Sequence, residues 1–333
     1  MAGLLKLFYD NGMKVFVTYQ IPEAGIKKLQ EAGHEVVVRQ EQALISREEL
    51  VAALKEYDAI LPLLTDKIGA EEIAQAGKQL KVIANYAVGY DNIDAKAAAE
   101  RGIVVTNTPD VLTDAVADHT ITLMTALARR VVEADQFVRD GKFKGWRPML
   151  LLGTGLRDKV LGIVGLGRIG SEVGRRAMTG LGMKVAYSDL QPSAEFEREA
   201  EARFYPELDS MLPEVDVVSL HVPLVEATKH LINKERLAAM KETSLLINTA
   251  RGAVIDEAAL VAALKDKVIA GAALDVFENE PDLAAGLKEL SNVVLTPHVA
   301  SATRETRSKM SELAADNIIA VLAGKEAITP VNK

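Results

Sequence analysis

Three side chains with chemical potential follow short apolar runs in the second half of the chain. Arg251 lies in Asn248-Thr-Ala-Arg-Gly252 behind residues 245–248, Glu280 in Asp275-Val-Phe-Glu-Asn-Glu-Pro281 behind 269–274, and His298 in Thr296-Pro-His behind 293–295. If those runs are strands of an open α/β sheet, all three residues sit near carboxyl ends, where such sheets bind ligands. A guanidinium there can grip a carboxylate through two parallel hydrogen bonds, although an Arg in a solvated turn reads the same way. Acids in loops are usually solvated. A histidine titrates near neutral pH and is the usual proton donor when a carbonyl is reduced. A carboxylate beside such a histidine fixes its ring and favours its protonated form. Arg251, Glu280 and His298 are therefore a candidate set of anion clamp, orienting acid and acid/base. The other histidines, His34, His119, His221 and His230, show no comparable setting, apart from His221 at a strand end.

A second constellation lies upstream. Residues 160–164 read as a buried strand, followed at once by Gly165-x-Gly167-x-x-Gly170, a helical run, a second strand over 184–188, and Asp189. Gly165 permits the turn out of the strand, Gly167 lets backbone approach a pyrophosphate, and Gly170 lets the helix pack close to the sheet. The helix N-terminus favours phosphate charge. Asp189 stands 19 residues after Gly170, placed to accept hydrogen bonds from an adenosine ribose. Its carboxylate would repel a 2′-phosphate, and Leu190, Gln191 and Pro192 offer no cation to bind one, so NAD is expected rather than NADP.

The elements that position these residues alternate. Strands read at 14–18, 35–38, 59–63, 80–86 and 103–106 alternate with helices at 22–32, 46–55, 70–76 and 94–100, the second opened by the capping box Ser46-Arg-Glu-Glu49. After Pro109 one long helix is expected over 113–140. A loop with the single Trp, Trp146, follows it. Beyond the glycine loop, strands at 215–220, 245–248, 269–274 and 293–295 alternate with helices at 206–212, 234–240 and 256–265, and a last amphipathic helix spans 303–322.

The 333 residues suffice for two domains. A net charge of −8 argues against nucleic acid or an anionic membrane as the main partner, and no apolar run approaches a membrane span. With no cysteine there is no thiolate nucleophile, disulfide or Cys-based metal site, and no metal is expected. A cytoplasmic setting is expected. Residues 1–12 make a poor signal peptide and read as an N-terminal extension.

Five motifs in order, NYAVGYDNID (85–94), GLGRIG (165–170), NTARG (248–252), LDVFENEP (274–281) and LTPH (295–298), resemble the D-isomer-specific 2-hydroxyacid dehydrogenases, and within them the glyoxylate/hydroxypyruvate reductases. The resemblance covers nearly the whole chain. It implies an α/β fold of two Rossmann-like parallel-sheet domains around a cleft. One is a flavodoxin-like substrate domain (13–109 and 297–333), the other an NAD-binding Rossmann domain (110–296). It gives Arg251 the substrate carboxylate and carbonyl, and pairs Glu280 with His298, the proton donor as hydride leaves the nicotinamide. The backbone of Ala87, Val88 and Gly89 would receive the substrate carboxylate. Leu64 or its neighbour Leu63 and Trp146 would wall a small pocket. Gly165, Gly167, Arg168, Ile169 and Gly170 would lie at the pyrophosphate, with Asp189, His221, Pro223, Thr228, Thr249, Ala250 and Ala300 along the cofactor and Asp275 on its carboxamide. A homodimer built partly on the helix after Pro109 is implied.

The expected reaction is NADH-dependent reduction of glyoxylate or hydroxypyruvate. The stretch 141–156 also resembles phosphite dehydrogenase of the same family, but that enzyme carries a Lys where this chain has Val88, so a doubly charged oxyanion loses a partner. Another short D-2-hydroxy acid or phosphite is the in-class alternative. An NAD-sensing, corepressor-like binding protein is the alternative from another class.

Overall fold

The computed structural model describes residues 12–332. The proposed extension over residues 1–12 therefore falls, apart from Gly12, outside the described residues. The chain divides into two compact units, one of residues 12–112 with 302–332 and the other Thr113–Ser301.

In the first unit β1 (Lys14–Val17), β2 (Glu35–Val38), β3 (Ala59–Leu61), β4 (Val82–Ala84) and β5 (Val104–Thr106) form a wholly parallel sheet in the order β2-β1-β3-β4-β5. This is the flavodoxin-like order. The helix Arg47–Glu56 opens with the expected capping box: Ser46 Oγ accepts the Glu49 N–H at 3.2 Å and the Glu49 carboxylate accepts the Ser46 N–H at 3.4 Å. The last helix, Arg304–Leu322, belongs to this unit and lies against the helix Glu23–Glu31. There Ser311 Oγ accepts the Gly25 N–H at 2.9 Å, and Lys28 pairs with Asp316 at 2.7 Å. The tail beyond it covers the β5 edge. Pro330 bridges Thr106, the Val331 N–H donates to the Val105 carbonyl at 2.9 Å, and Asn332 Oδ1 accepts the Val105 N–H at 2.7 Å.

In the second unit β6 (Val160–Val164), β7 (Lys184–Ser188), β8 (Arg203–Phe204), β9 (Val217–Leu220), β10 (Leu245–Asn248), β11 (Gly271–Leu274) and β12 (Val293–Leu295) make a parallel sheet in the order β12-β11-β10-β9-β6-β7-β8. Counted from β6 this is the Rossmann order, reversing direction between β6 and β9. Strands β9, β10 and β11 are buried throughout, which is why they read as mainly apolar runs, with only Ser219 and Asn248 polar.

The structure corrects the sequence reading in places. The single helix expected over 113–140 is two, Thr113–Ala128 and Val131–Arg139. Arg130 stands between them at φ 53°, its guanidinium held by Glu133 at 2.8 and 2.9 Å. A left-handed residue ends a helix however suitable its neighbours are. The helix expected at 206–212 shrinks to Leu208–Met211 followed by a 3₁₀ turn, Leu212–Glu214. Among the described residues no helix is long and apolar enough to cross a membrane.

Candidate active site

The register of the second sheet aligns its carboxyl ends. Val164 pairs with Ser188 and Leu220, Leu220 with Asn248, Asn248 with Leu274, and Leu274 with Leu295. The residues next in chain are Asp189, Gly165, His221, Thr249, Asp275 and Thr296. One row of hydrogen-bonded strand ends thus carries six loops side by side, at the edge where a doubly wound sheet binds ligands.

The glycine loop tests whether this edge fits a dinucleotide. Gly165 has φ 92°, and a Cβ there would stand 2.8 Å from the His221 carbonyl oxygen. At Gly170 a Cβ would collide with the Gly165 carbonyl. Packing alone therefore demands both glycines. Gly167 differs: a Cβ on it would meet no protein atom within 4 Å, and it precedes the helix Arg168–Leu181. Nothing in the fold asks for glycine there, whereas a pyrophosphate seated on the helix N-terminus would. The residues fit the group. Arg168 opens that helix, and Ile169 packs partly into the core beneath it. Asp189 accepts the Leu166 N–H at 2.6 Å and the Leu190 N–H at 2.6 Å, so it ties the glycine loop to the end of β7.

Asp275 is fully buried, yet its carboxylate has donors on both oxygens. Oδ1 accepts from the Thr296 hydroxyl at 2.6 Å and the Val299 N–H at 2.9 Å, and Oδ2 from the Ala300 N–H at 2.8 Å. Burial works to raise this carboxyl, but His119, Thr296 and the two amides outweigh it and hold it below the usual aspartate value. The turn it grips carries His298 at φ 52°, a left-handed conformation that histidine adopts more readily than most residues. The His298 N–H donates to the Asp275 carbonyl at 2.8 Å. His298 Nδ1 lies 2.9 Å from Glu280 Oε2, and Glu280 Oε1 accepts the Phe277 N–H at 3.0 Å. Burial pushes the Glu280 carboxyl up. The hydrogen bond and charge of His298, the Phe277 amide and the charge of Arg251 more than reverse this, and the group sits low. With Nδ1 committed to Glu280, Nε2 is the atom of His298 left to exchange a proton with a ligand.

The Arg251 loop is held from below. Asn248, 1 % exposed, accepts the Ala250 N–H at 3.0 Å and donates to the Arg251 carbonyl at 2.9 Å. Arg251 Nη1 donates to the Ala250 carbonyl at 2.8 Å. Gly252 lies directly under the Phe277–Glu278 peptide, and a Cβ would overlap that backbone. The loops carrying Arg251 and Glu280 therefore rest on each other with no side chain between them.

Among the other candidates, the Thr228 hydroxyl donates to the Pro223 carbonyl at 2.6 Å and closes the loop that follows β9. His221 Nε2 lies 2.9 Å from Ser219 Oγ, and burial pushes this imidazole down to about 3, so it is neutral at ordinary pH. Leu64, Ala87, Val88 and Gly89 belong to the first unit. There the Asn107 amide donates to the Val88 carbonyl at 2.7 Å and the Thr108 N–H to the Ala87 carbonyl at 2.8 Å. Asn85 donates to the Gly89 carbonyl at 2.8 Å, and Asn92 donates to the Leu63 and Asp66 carbonyls on either side of Leu64 at 3.1 Å each. The loop's carbonyls are thus taken up from within, while no described hydrogen bond uses the Val88 or Gly89 N–H. Trp146 is 83 % exposed. A cavity of about 520 Å³ lined by Arg129, Arg157 and Gly182 lies at the opposite, amino-terminal edge of the second sheet and contains none of the candidate residues.

Two histidines that sequence reasoning passed over have specific partners. His119 Nε2 is 3.1 Å from Thr296 Oγ1 and 3.4 Å from Asp275 Oδ1. His230 Nε2 is 2.7 Å from Glu278 Oε1. Both contacts join segments far apart in sequence, 177 residues for the first and 48 for the second, so no local pattern pointed to either.

A Rossmann-ordered sheet whose aligned strand ends carry a glycine loop, an arginine and a histidine–glutamate pair defines a nicotinamide-dependent dehydrogenase class. Comparison with known proteins agrees: the NAD binding domain of the D-isomer specific 2-hydroxyacid dehydrogenases matches residues 121–300, and the chain belongs to that family. It is 49% identical over 322 residues to a glyoxylate reductase of Korarchaeum cryptofilum (96% of each chain) and 50% identical over 324 residues to one of Thermococcus litoralis (96% of this chain, 97% of the other). A crystal structure from Thermus thermophilus superposes with a TM-score of 0.90 at 46% identity, covering 96% of this chain and all of that one. An NADPH-dependent glyoxylate/hydroxypyruvate reductase of Sinorhizobium meliloti, crystallised with NADP and malonate, gives 0.84 at 37% identity over 96% of this chain and 97% of its own.

Proposed function

We propose that the protein reduces a short 2-oxo acid, glyoxylate or hydroxypyruvate, to the D-2-hydroxy acid, using NADH. The observation that carries this is the His298–Glu280 pair at 2.9 Å, presented by a turn that a buried carboxylate fastens beside the Arg251 loop. The nicotinamide, when bound, supplies the hydride. Arg251 binds the substrate carboxylate and polarises the carbonyl. His298 Nε2 gives its proton to the oxygen as alkoxide charge develops, and Glu280 stabilises the imidazolium and fixes its orientation. The unit Thr113–Ser301 is proposed as the nucleotide domain and the unit of residues 12–112 with 302–332 as the substrate domain, whose Val88 and Gly89 amides receive a carboxylate. Preference for NADH rests on the Asp189 carboxylate and on the absence of a cation in Leu190-Gln191-Pro192. A homodimer is proposed from the apolar side chains that Val131, Val138, Phe143, Trp146 and Met149 expose on consecutive segments.

Steady-state kcat/KM with NADH and with NADPH on glyoxylate, hydroxypyruvate, pyruvate and phenylpyruvate, with phosphite plus NAD⁺ alongside, tests the reading. Preference for the first two acids is expected, and activity confined to phosphite would overturn it. His298→Ala should lower kcat by about 10²–10⁴, and unchanged turnover would remove the acid/base role from His298. Asp189→Ala should weaken NADH binding and admit NADPH.

A further inference from the structure

The helix Thr113–Ala128 carries His119 and Thr120 side by side, and each reaches a different loop of the candidate site. Thr120 is fully buried, and its hydroxyl donates to the Val116 carbonyl at 2.7 Å. Its only proton is then spent, so the contact at 2.9 Å to Thr249 Oγ1 has Thr249 as donor and Thr120 as acceptor. Thr249 lies two residues before Arg251. On the other side, the Thr296 hydroxyl gives its proton to Asp275, so at 3.1 Å the Nε2–H of His119 donates to Thr296 Oγ1, with Asp275 Oδ1 at 3.4 Å as its second neighbour. Thr296 and Asp275 are the residues that shape the His298 turn.

A helix has no need of a histidine and a buried threonine at consecutive positions: both are middling helix formers, and alanine or leucine would serve its core better. Apart from the Thr120–Val116 bond, their side-chain hydrogen bonds leave the helix and end on two loops that are 47 residues apart in sequence, at Thr249 and Thr296. We infer that His119 and Thr120 are positioning residues, a rigid ledge that sets the Arg251 loop and the His298 turn in register with each other. The inference rests on the proposed roles of Arg251 and His298. It assigns His119 no contact with substrate or cofactor: its effect passes through Thr296 and Asp275, as that of Thr120 passes through Thr249. Because reacting groups misplaced by about 1 Å can lose on the order of 10²-fold in rate, the loss of one such bond has a kinetic effect well beyond its effect on stability.

The test uses the full chain with His119→Ala, His119→Gln, Thr120→Val and Thr120→Ser, assayed with NADH and glyoxylate. His119→Ala should lower kcat about tenfold with little change in KM, whereas Thr120→Val, which keeps shape and loses the hydroxyl, should raise KM with kcat largely kept. Gln places an amide N–H near the position of Nε2, and Ser keeps the hydroxyl, so these two variants should recover most of the loss. In a His298→Ala background the cost of His119→Ala should vanish, because the group it positions is gone. Amide hydrogen exchange provides a readout independent of turnover: His119→Ala should speed exchange at Val299 and Ala300, and Thr120→Val at Ala250. Wild-type kcat and KM in both His119→Ala and Thr120→Val would overturn the inference, as would a His119→Ala cost undiminished without His298, or exchange unchanged at the named amides. A wild-type protein inactive on every 2-oxo acid would instead overturn the proposed function, and the exchange data would still decide whether His119 and Thr120 hold the two loops.

Discussion

Each unit buries an aspartate beneath the loops at the carboxyl end of its sheet, and the two are set in opposite directions. Asp66, 5 % exposed, follows β3 in the first unit and accepts the Thr18 hydroxyl at 2.5 Å and the Leu63 N–H at 2.8 Å, both on the same oxygen, with the Thr65 side chain and the charge of Arg39 as weaker partners. Burial dominates there and lifts its carboxyl above the usual value. Asp275, at 0 % exposure, is buried at least as deeply but sits low, because Thr296, Val299, Ala300 and His119 surround both of its oxygens. Depth of burial therefore does not decide the charge of a buried acid. The number and spread of donors do. The first unit holds its candidate loop mainly with the neutral amides of Asn85, Asn92 and Asn107. The second uses a negative charge, which fastens the turn that carries His298 through the Val299 and Ala300 amides.

This contrast can be broken by experiment. The largest effect is expected from Asp275→Asn, which removes the charge and turns an amide donor toward groups that are themselves donors. Stability should fall by about 1–3 kcal/mol, and kcat should fall with it, as read by chemical unfolding and steady-state turnover. Retention of both would mean that the Val299 and Ala300 amides find other partners. The pH dependence comes next. Asp275 and Glu280 are depressed from 3.8 and 4.5, so their contribution is fully present above those values and is lost as pH falls through their lower folded values. Asp66 is raised from 3.8, so it costs stability at neutral pH, and that cost disappears as pH falls from its folded value toward 3.8. On acidification, hydrogen exchange should loosen the turn at 296–300 while the segment 62–66 holds or tightens. The reverse order would sink the comparison. The smallest effect is expected from Asp66→Asn, which keeps one acceptor oxygen for Thr18 and Leu63. It should shift stability at pH 7 by less than about 1 kcal/mol. A large loss would show that Asp66 works as a charge after all.

Much of this arrangement was legible in the sequence because it is local. Strand–helix alternation, the capping box at Ser46 and the glycine spacing from 165 to 170 each depend on residues within one or two turns of chain, and the two parallel sheets follow from them. The strand ends were legible for the same reason, and they place the loops of Arg251, Glu280 and His298 at the carboxyl edge of the second sheet. Contacts made at long range were not legible. Nothing near His119 in sequence indicates that Thr296 lies 3.1 Å away, 177 residues on. The two-residue strand Arg203–Phe204 is too short to carry a pattern. The helix break at Arg130 depends on a left-handed backbone angle, in a stretch whose residue types all suit a helix.

The composition of the first unit from the two ends of the chain bears on how the protein is made. The ribosome releases residues 12–112 first, then all of Thr113–Ser301, and only at the end the helix Arg304–Leu322 and the tail that covers β5. Domains generally fold as units during synthesis, N-terminal first. Here the second-encoded unit is the first that can be finished. The earlier strands must wait, with the Glu23–Glu31 face and the β5 edge uncovered, for some two hundred residues of translation. In the interval they are the surface for which a chaperone or a neighbouring nascent chain would compete.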